Sequence, residues 1–275
     1  MVTMNTSSTT LNDTHGDNGA ITLEDVAFEY DRGKQPVLQH VNLEVGSGEF
    51  FVLLGPSGCG KSTILNLVAG FESASTGKVV VDKRPVTGAG RDRVVIFQDS
   101  DSLYGWLSVV DNTAFPLRVE GINRKERRQR AMNALMVVGL HGHENKYPRQ
   151  LSGGMKQRVQ LARALVTNSP VLLMDEPFAA LDAQTRSILQ DELVQLSSRL
   201  RCTILFITHD IGEAILLGDR VGIMRAGPAS AIKEIIRVEL PRPRQRGSLA
   251  FGELYERINQ SISEEVRQAL SKEDV

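Results

Sequence analysis

Cysteine is scarce: Cys59 and Cys202 stand far apart as the only two among 275 residues. A disulfide framework needs a denser set, so a reducing compartment is expected. No stretch approaches the roughly 18 consecutive apolar residues of a membrane-spanning helix, so no helical bilayer span is expected. A surplus of either charge is also missing, with 32 Lys and Arg against 33 Asp and Glu and a net charge of −1. A dedicated nucleic-acid binder carries a basic excess, so no nucleic-acid partner is expected. Residues 1–20 are polar and lack both a basic start and an apolar stretch. They read as a disordered tail and not as a secretory signal. Hydrophobic residues make up 41% of the chain, enough for a sizeable core.

From Ile21 onward the pattern alternates. Ile21–Tyr30 and Val37–Val45 read as strands joined by a turn-rich segment, Asp31 to Pro36. Glu49–Leu54 is a short apolar run ending in glycine, as expected of a buried parallel strand. Val94–Phe97, Val171–Met174, Ile204–Ile207 and Val221–Met224 are further buried-strand candidates. Gln184–Leu200 is helical, with Leu189, Leu193, Leu196 and Leu200 at 3.6-type spacing. Strands alternating with helices predict an α/β sheet with an antiparallel β layer at its edge. Arg124–Val138 and Met155–Val166 read as helices, making a helical insertion of residues 99–169. The predicted organisation is a domain over 21–240 and an extension over 241–275. In that extension Phe251, Leu254, Tyr255, Ile258, Ile262, Val266, Ala269 and Leu270 fall on one helical face, expected to pack on its own domain. Pro241–Arg246 reads as an extended connector.

The chemistry begins at Gly55-Pro56-Ser57-Gly58-Cys59-Gly60-Lys61-Ser62-Thr63, which fits G-x-x-x-x-G-K-[ST] between a predicted strand and helix. Glycines let backbone N–H groups curl around phosphate oxygens, and a helix N-terminus adds its positive dipole end. Lys61 would reach the β- and γ-phosphates and Ser62 would bind Mg²⁺. The bland alternative is a glycine-rich turn, which the strand-loop-helix context disfavours. Val171–Asp175 is the companion: an apolar strand ending in a carboxylate, Asp175, that can hold Mg²⁺ through water. Glu176 is placed to activate a water as general base. Its bland alternative is to cap the following segment.

Leu151-Ser152-Gly153-Gly154-Met155-Lys156-Gln157-Arg158 resembles the signature sequence of ABC ATPases, with Met155 where Gln is usual. The resemblance runs from about Ile21 to Met224 and implies a phosphate-loop (RecA-like) core sheet with an antiparallel β layer and a helical subdomain. It implies that Ser152, Gly153 and Gly154 contact the γ-phosphate on an opposite subunit, in a head-to-tail homodimer holding two ATP. It further implies that Tyr30 stacks on adenine, that Gln98 senses Mg²⁺ and the lytic water, and that His209 contacts the γ-phosphate. Asp182, in Ala180-Leu181-Asp182, is similar to the residue that crosses to the partner. Catalysis would thus rest on Glu176, His209, Gln98 and Lys61, and Mg²⁺ on Ser62, Gln98 and Asp175.

Asp175–Arg186, the Leu107–Leu117 stretch and Val238–Arg244 are similar to the nitrate, sulfonate and taurine importer group. That likeness implies membrane permease subunits, an extracytoplasmic substrate-binding protein and a peripheral place on the cytoplasmic face of the membrane. Departures are Gly105 before Trp106, Gly212 at a usually acidic position, and Ala226–Ile232. Trp106 is read equally as core or as permease contact. The basic run Arg124–Arg130 reads as a solvated helix face, and Cys59 within the loop as incidental. A soluble ABC ATPase acting on DNA or ribosomes is the competing reading. It would bring tandem cassettes or a long coiled-coil insertion, and this sequence has neither. A small-molecule phosphate-loop kinase would have no use for the signature motif.

Overall fold

The computed structural model describes residues 19–31, 33, 35–97, 102–179, 181–200 and 202–273. Its chain order begins β1 (Ile21–Phe28), β2 (Leu38–Val45), β3 (Phe50–Leu54), α1 (Lys61–Ala69), β4 (Thr76–Val81), β5 (Arg84–Pro85) and β6 (Arg93–Ile96). Then come α2 (Val109–Val119), α3 (Arg124–Val137), α4 (Gly153–Leu165), β7 (Val171–Asp175), α5 (Ala183–Leu200) and β8 (Thr203–Thr208). The chain closes with α6 (Ile211–Leu217), β9 (Arg220–Met224), β10 (Ile232–Arg237) and α7 (Leu249–Glu273).

Two sheets form. The first is antiparallel, in the order β2-β1-β4-β5, and the second runs β10-β9-β3-β8-β7-β6. All neighbours in the second are parallel except β10, which lies antiparallel on β9 at the edge. Every residue of β3 is buried, as a strand covered on both faces must be. Its side chains divide by the two-residue pleat. Phe51 and Leu53 pack with α1 and the antiparallel layer, while Phe50, Val52 and Leu54 pack toward α2, α4 and α6. Truncating the fully buried Phe51 to Ala would cost about 3–5 kcal/mol.

Register then does the positioning. Leu54 pairs with Thr208 and Asp175 with Ile207, so the carboxyl ends of β3, β7 and β8 finish together. The loops after these strands therefore open on one edge, where ligands gather in α/β sheets. Helices α2 to α4 lie between β6 and β7 as the expected insertion. α7 packs its Phe251 and Ile258 into the core, while Tyr255 is 39% exposed.

Strand and helix ends differ from the sequence reading by one or two residues. Five elements were not singled out there: β4, β5, α2, α6 and β10. β10 alternates buried and polar positions weakly because it is an edge strand, and α2 carries Pro116, a residue that disfavours helix interiors. Of the expected tail over 1–20, residues 1–18 fall outside the described residues, while Gly19 is buried and the Ala20 carbonyl accepts from the Asp82 N–H at 2.8 Å. Gln98 and Ala180 also fall outside them, as do the side chains of Leu196, Leu200, Ala269 and Leu270.

Candidate functional site

Residues 55–60 form the loop between β3 and α1. Gly60 sits at φ +90, and a Cβ there would lie 2.6 Å from Leu38 Cδ2, so both backbone and space demand glycine. The Lys61 side chain is buried and folds into the loop, donating to the carbonyls of Gly55 and Pro56 at 2.8 Å each. A buried ammonium without partners would be unstable. The loop thus holds a positive charge inside a ring of backbone groups.

Asp175, at the end of β7, accepts a hydrogen bond from Ser62. Burial pushes its carboxyl above the ordinary value, the Ser62 hydroxyl and Lys61 pull it down, and Glu176 pushes it up again. Hydroxyl and carboxylate oxygens are the hard donors Mg²⁺ prefers. Among the described residues no cluster of three or more His, Cys, Asp or Glu could hold a metal ion. That donor set suits an ion that draws its remaining ligands from water and phosphate.

Glu176 follows with φ 43, a left-handed backbone unusual for a side chain of this size. Its N–H donates to the Ile207 carbonyl at 3.0 Å, so the strand next door holds the strained residue in place. Its Oε2 lies 3.0 Å from His209 Nδ1. The imidazole itself is open to solvent, with 61% of its side chain exposed. Tyr30 is also exposed, at 63%, and its hydroxyl lies 3.5 Å from Thr63 Oγ1 at the start of α1. Lys61, Ser62, Asp175, Glu176, His209 and Tyr30 are thus gathered along one edge.

A second group forms elsewhere. Ser152 caps α4 by accepting from the Met155 N–H at 3.3 Å, and Ser152 and Gly153 face solvent. A Cβ on Gly154 would lie 2.4 Å from Thr185 Cγ2, so this helix end packs against the start of α5. Asp182 sits beside it and spends its carboxylate on the N–H groups of Thr185 and Gln184, at 3.0 and 3.2 Å. The Thr185 bond foremost holds that carboxyl below its ordinary value. The two groups together offer a phosphate loop and an exposed, anion-attracting helix end on separate parts of one chain.

Trp106 is 75% exposed and does not belong to the core. Asn112, fully buried, fixes the segment that presents it, accepting from the Tyr104 N–H and donating to the carbonyls of Tyr104 and Leu107. Beside it a groove of about 310 Å³ runs between the sheet and the helical insertion, lined by Phe71, Arg93, Phe97, Pro116 and Arg163 among others. Cys59 is buried, and burial raises its thiol although Lys61 opposes the shift.

Sequence reasoning missed the buried polar network behind His209. Thr208 Oγ1 donates to Glu213 Oε2 at 2.7 Å, and Gln190 Nε2 donates to Glu213 Oε1 at 2.9 Å. Gln190 is fully buried and Glu213 nearly so. Glu213 inside the otherwise apolar α6 was the available signal; Gln190, in the mostly polar α5, gave none.

Sheet order, phosphate loop and carboxylate-ended strand define a phosphate-loop nucleotide hydrolase carrying a helical insertion. The sequence matches the ABC transporter family over residues 38–179, and the chain belongs to that family. It is 45% identical over 243 residues to an uncharacterized ABC transporter ATP-binding protein of Methanocaldococcus jannaschii, covering 88% of this chain and 90% of that one. It is 47% identical over 221 residues to the nitrate import ATP-binding protein NrtD of Synechococcus elongatus, 80% of each chain. With the bicarbonate transport ATP-binding protein CmpD of Synechocystis it shares 46% over 230 residues, 82% of this chain and 81% of the other. Among solved structures, cbiO1 of Clostridium perfringens, described as part of an ABC transporter complex, aligns with a TM-score of 0.74 at 28% identity. That alignment covers 81% of this chain and 90% of cbiO1. The dimeric cassette MJ0796 aligns with a TM-score of 0.70 at 32% identity, covering 80% and 100%.

Proposed function

We propose that this chain is the ATP-hydrolysing subunit of an importer for small nitrate-like oxoanions. The observation that carries the catalytic part is the meeting of Lys61, Ser62, Asp175, Glu176 and His209 at the carboxyl ends of three adjacent strands. In this reading the loop from Gly55 to Thr63 binds the phosphates by its N–H groups and Lys61, with Tyr30 against the adenine. Ser62 and Asp175, with Gln98, would hold Mg²⁺, an ion that would supply positive charge against the phosphates. Glu176 takes a proton from the attacking water, and His209 orients the carboxylate and meets the γ-phosphate. Ser152, Gly153 and Gly154 of a second copy close the site, with the Asp182 segment at the same seam. The dimeric cassette among the similar structures supports that pairing.

The cargo reading rests on relatives named for nitrate and bicarbonate, two small planar oxoanions of single negative charge. Cargo would be delivered by an extracytoplasmic binding protein to permease subunits. The exposed Trp106 and the groove beside it suit an apolar segment of such a permease. Among the described residues no helix is long and apolar enough to cross a membrane, which fits a peripheral place on the cytoplasmic face. No relative cited here favours a DNA- or ribosome-directed ATPase.

The test is growth and uptake in a strain lacking the gene, measured with nitrate, bicarbonate, taurine and an aliphatic sulfonate. Loss of nitrate or bicarbonate uptake, restored by the wild-type gene but not by a Lys61→Ala copy, is expected. Normal uptake of all four would remove the cargo assignment, and a purified chain unable to release phosphate from ATP would remove the enzymatic one.

A further inference from the structure

The connector Pro241–Arg246 carries three arginines at every second position: two bind the C-terminal end of one short helix directly, and the third reaches that helix through Gln190 on α5. Helix α6 begins two residues after His209. A helix leaves its last four carbonyls without internal partners. Here Arg244 Nη1 donates to the carbonyls of Ile215, Leu216 and Gly218 at 2.7, 3.2 and 2.6 Å. Arg242 Nη2 donates to the Leu217 carbonyl at 2.6 Å and to Asp219 at 2.8 Å. Two guanidinium groups thus satisfy the open end of α6 and place positive charge at the negative end of its dipole.

Arg246 works at the other end. Its Nη2 donates to Gln190 Oε1 at 2.7 Å. Gln190 in turn holds Glu213, Glu213 accepts from Thr208, and the Thr208 hydroxyl accepts from the Asp210 N–H at 3.0 Å. Residues 208 and 210 flank His209. Gly212 leaves room for this contact, since a Cβ there would lie 2.9 Å from Arg246 Nη1. The departure from an acidic residue at 212 and the arginine at 246 are therefore two halves of one arrangement. The connector is not the extended segment expected from the sequence: the chain bends at Arg242 and Pro243 and turns at Arg246 and Gly247, which brings its arginines back onto the domain.

We propose that the arginines of the Pro241–Arg246 connector are positioning residues for ATP hydrolysis, fixing α6 and with it the imidazole of His209 against Glu176. The inference rests on the reading of His209 as a group acting at the γ-phosphate. Without the connector, α6 keeps its apolar contacts but loses the bonds that set its height along the sheet. A misplacement of about 1 Å at a catalytic group can lower a rate by up to about a hundredfold.

The test uses the full-length chain with Arg246→Gln, Arg244→Gln and Gly212→Ala, each made with and without His209→Ala. Turnover is measured per bound nucleotide by single-turnover hydrolysis of radiolabelled ATP, with KM for ATP alongside. Each connector variant is expected to lower turnover about tenfold with KM within about twofold, and to add less than about twofold loss once His209 is gone, because groups acting as a unit are non-additive. Gly212→Ala is the telling case, as alanine is the better helix former yet should slow the reaction by displacing Arg246. If Arg244→Gln fails to fold, the variants at the exposed Arg246 and at Gly212 decide the matter. Wild-type turnover in those variants, or the same fold loss with and without His209, overturns the proposal. If His209→Ala itself turns over normally, the histidine assignment and this inference fall together; silent arginines beside an essential histidine sink only the inference.

Discussion

Replacing Glu176 by Gln removes one charge and little else. The amide keeps the side chain's length, its place beside His209 Nδ1 at 3.0 Å and the backbone at φ 43. Loss of a general base slows a reaction about 10²–10⁴-fold, equivalent to about 3–5 kcal/mol of barrier. Stability should barely move, because the lost contact is to a mostly exposed imidazole and even a charged pair at such a site contributes about 0–1 kcal/mol. Glu176→Gly is the informative contrast. A left-handed backbone costs a side-chain-bearing residue about 1–2 kcal/mol, and glycine's freer unfolded chain returns about 0.4–1 kcal/mol of that relief. The Gly variant should therefore melt at or a few degrees above the wild type while being as inactive as the Gln variant. Phosphate release and calorimetry measure both quantities, and size-exclusion with ATP should show the Gln variant accumulating as a closed dimer. A Gln variant within tenfold of wild-type turnover refutes the general-base role. A Gly variant that melts well below wild type refutes the strain accounting.

Gly154→Ala should cost about 1–3 kcal/mol of local packing, since its Cβ meets Thr185 Cγ2 at 2.4 Å. Monomer ATP binding, read by fluorescent nucleotide, should survive while ATP-driven dimerisation weakens; intact dimerisation would contradict the packing argument. Both thiols are buried, with Cys202 pushed up to about 11 by burial and Cys59 raised as well. A chromogenic disulfide reagent at pH 8 should therefore find no reactive thiol in the folded chain and two in urea, and a fast native reaction would show that the loop opens. Burial raises the Glu213 carboxyl above 4.5, so its contribution to stability is fully present below 4.5 and is lost as pH rises through the folded value. Glu213→Gln should remove that slope, so that its urea midpoint relative to wild type climbs with pH above 4.5; a difference independent of pH would count against it.

Much of this was legible because covered parallel strands write continuous apolar runs. Phe50–Leu54, Val171–Asp175 and Thr203–Thr208 are such strands, and the loop after the first announces its own chemistry. Edge strand β10, with Lys233 and Glu234 in its middle, carries no such signature. The network reached by Arg246 was hidden for another reason: Arg246 and Gln190 lie 56 residues apart and Gln190 and Glu213 lie 23 apart, and only the fold joins them. The left-handed backbone at Glu176 is likewise invisible in a sequence that shows an ordinary acid after a strand.

Ser152 and Gly153 face solvent at a helix end remote in sequence from the phosphate loop. In the proposed reading one chain supplies two unlike halves of a site and completes neither. The consequence is a kinetic order: in dilute solution the initial rate of hydrolysis should rise with the square of chain concentration and become linear only once dimers dominate. Tethering two copies to one membrane complex replaces that dependence with a fixed effective concentration, on the order of millimolar for a short link. Assembly with a permease would then act as an on-switch for the ATPase before any cargo arrives.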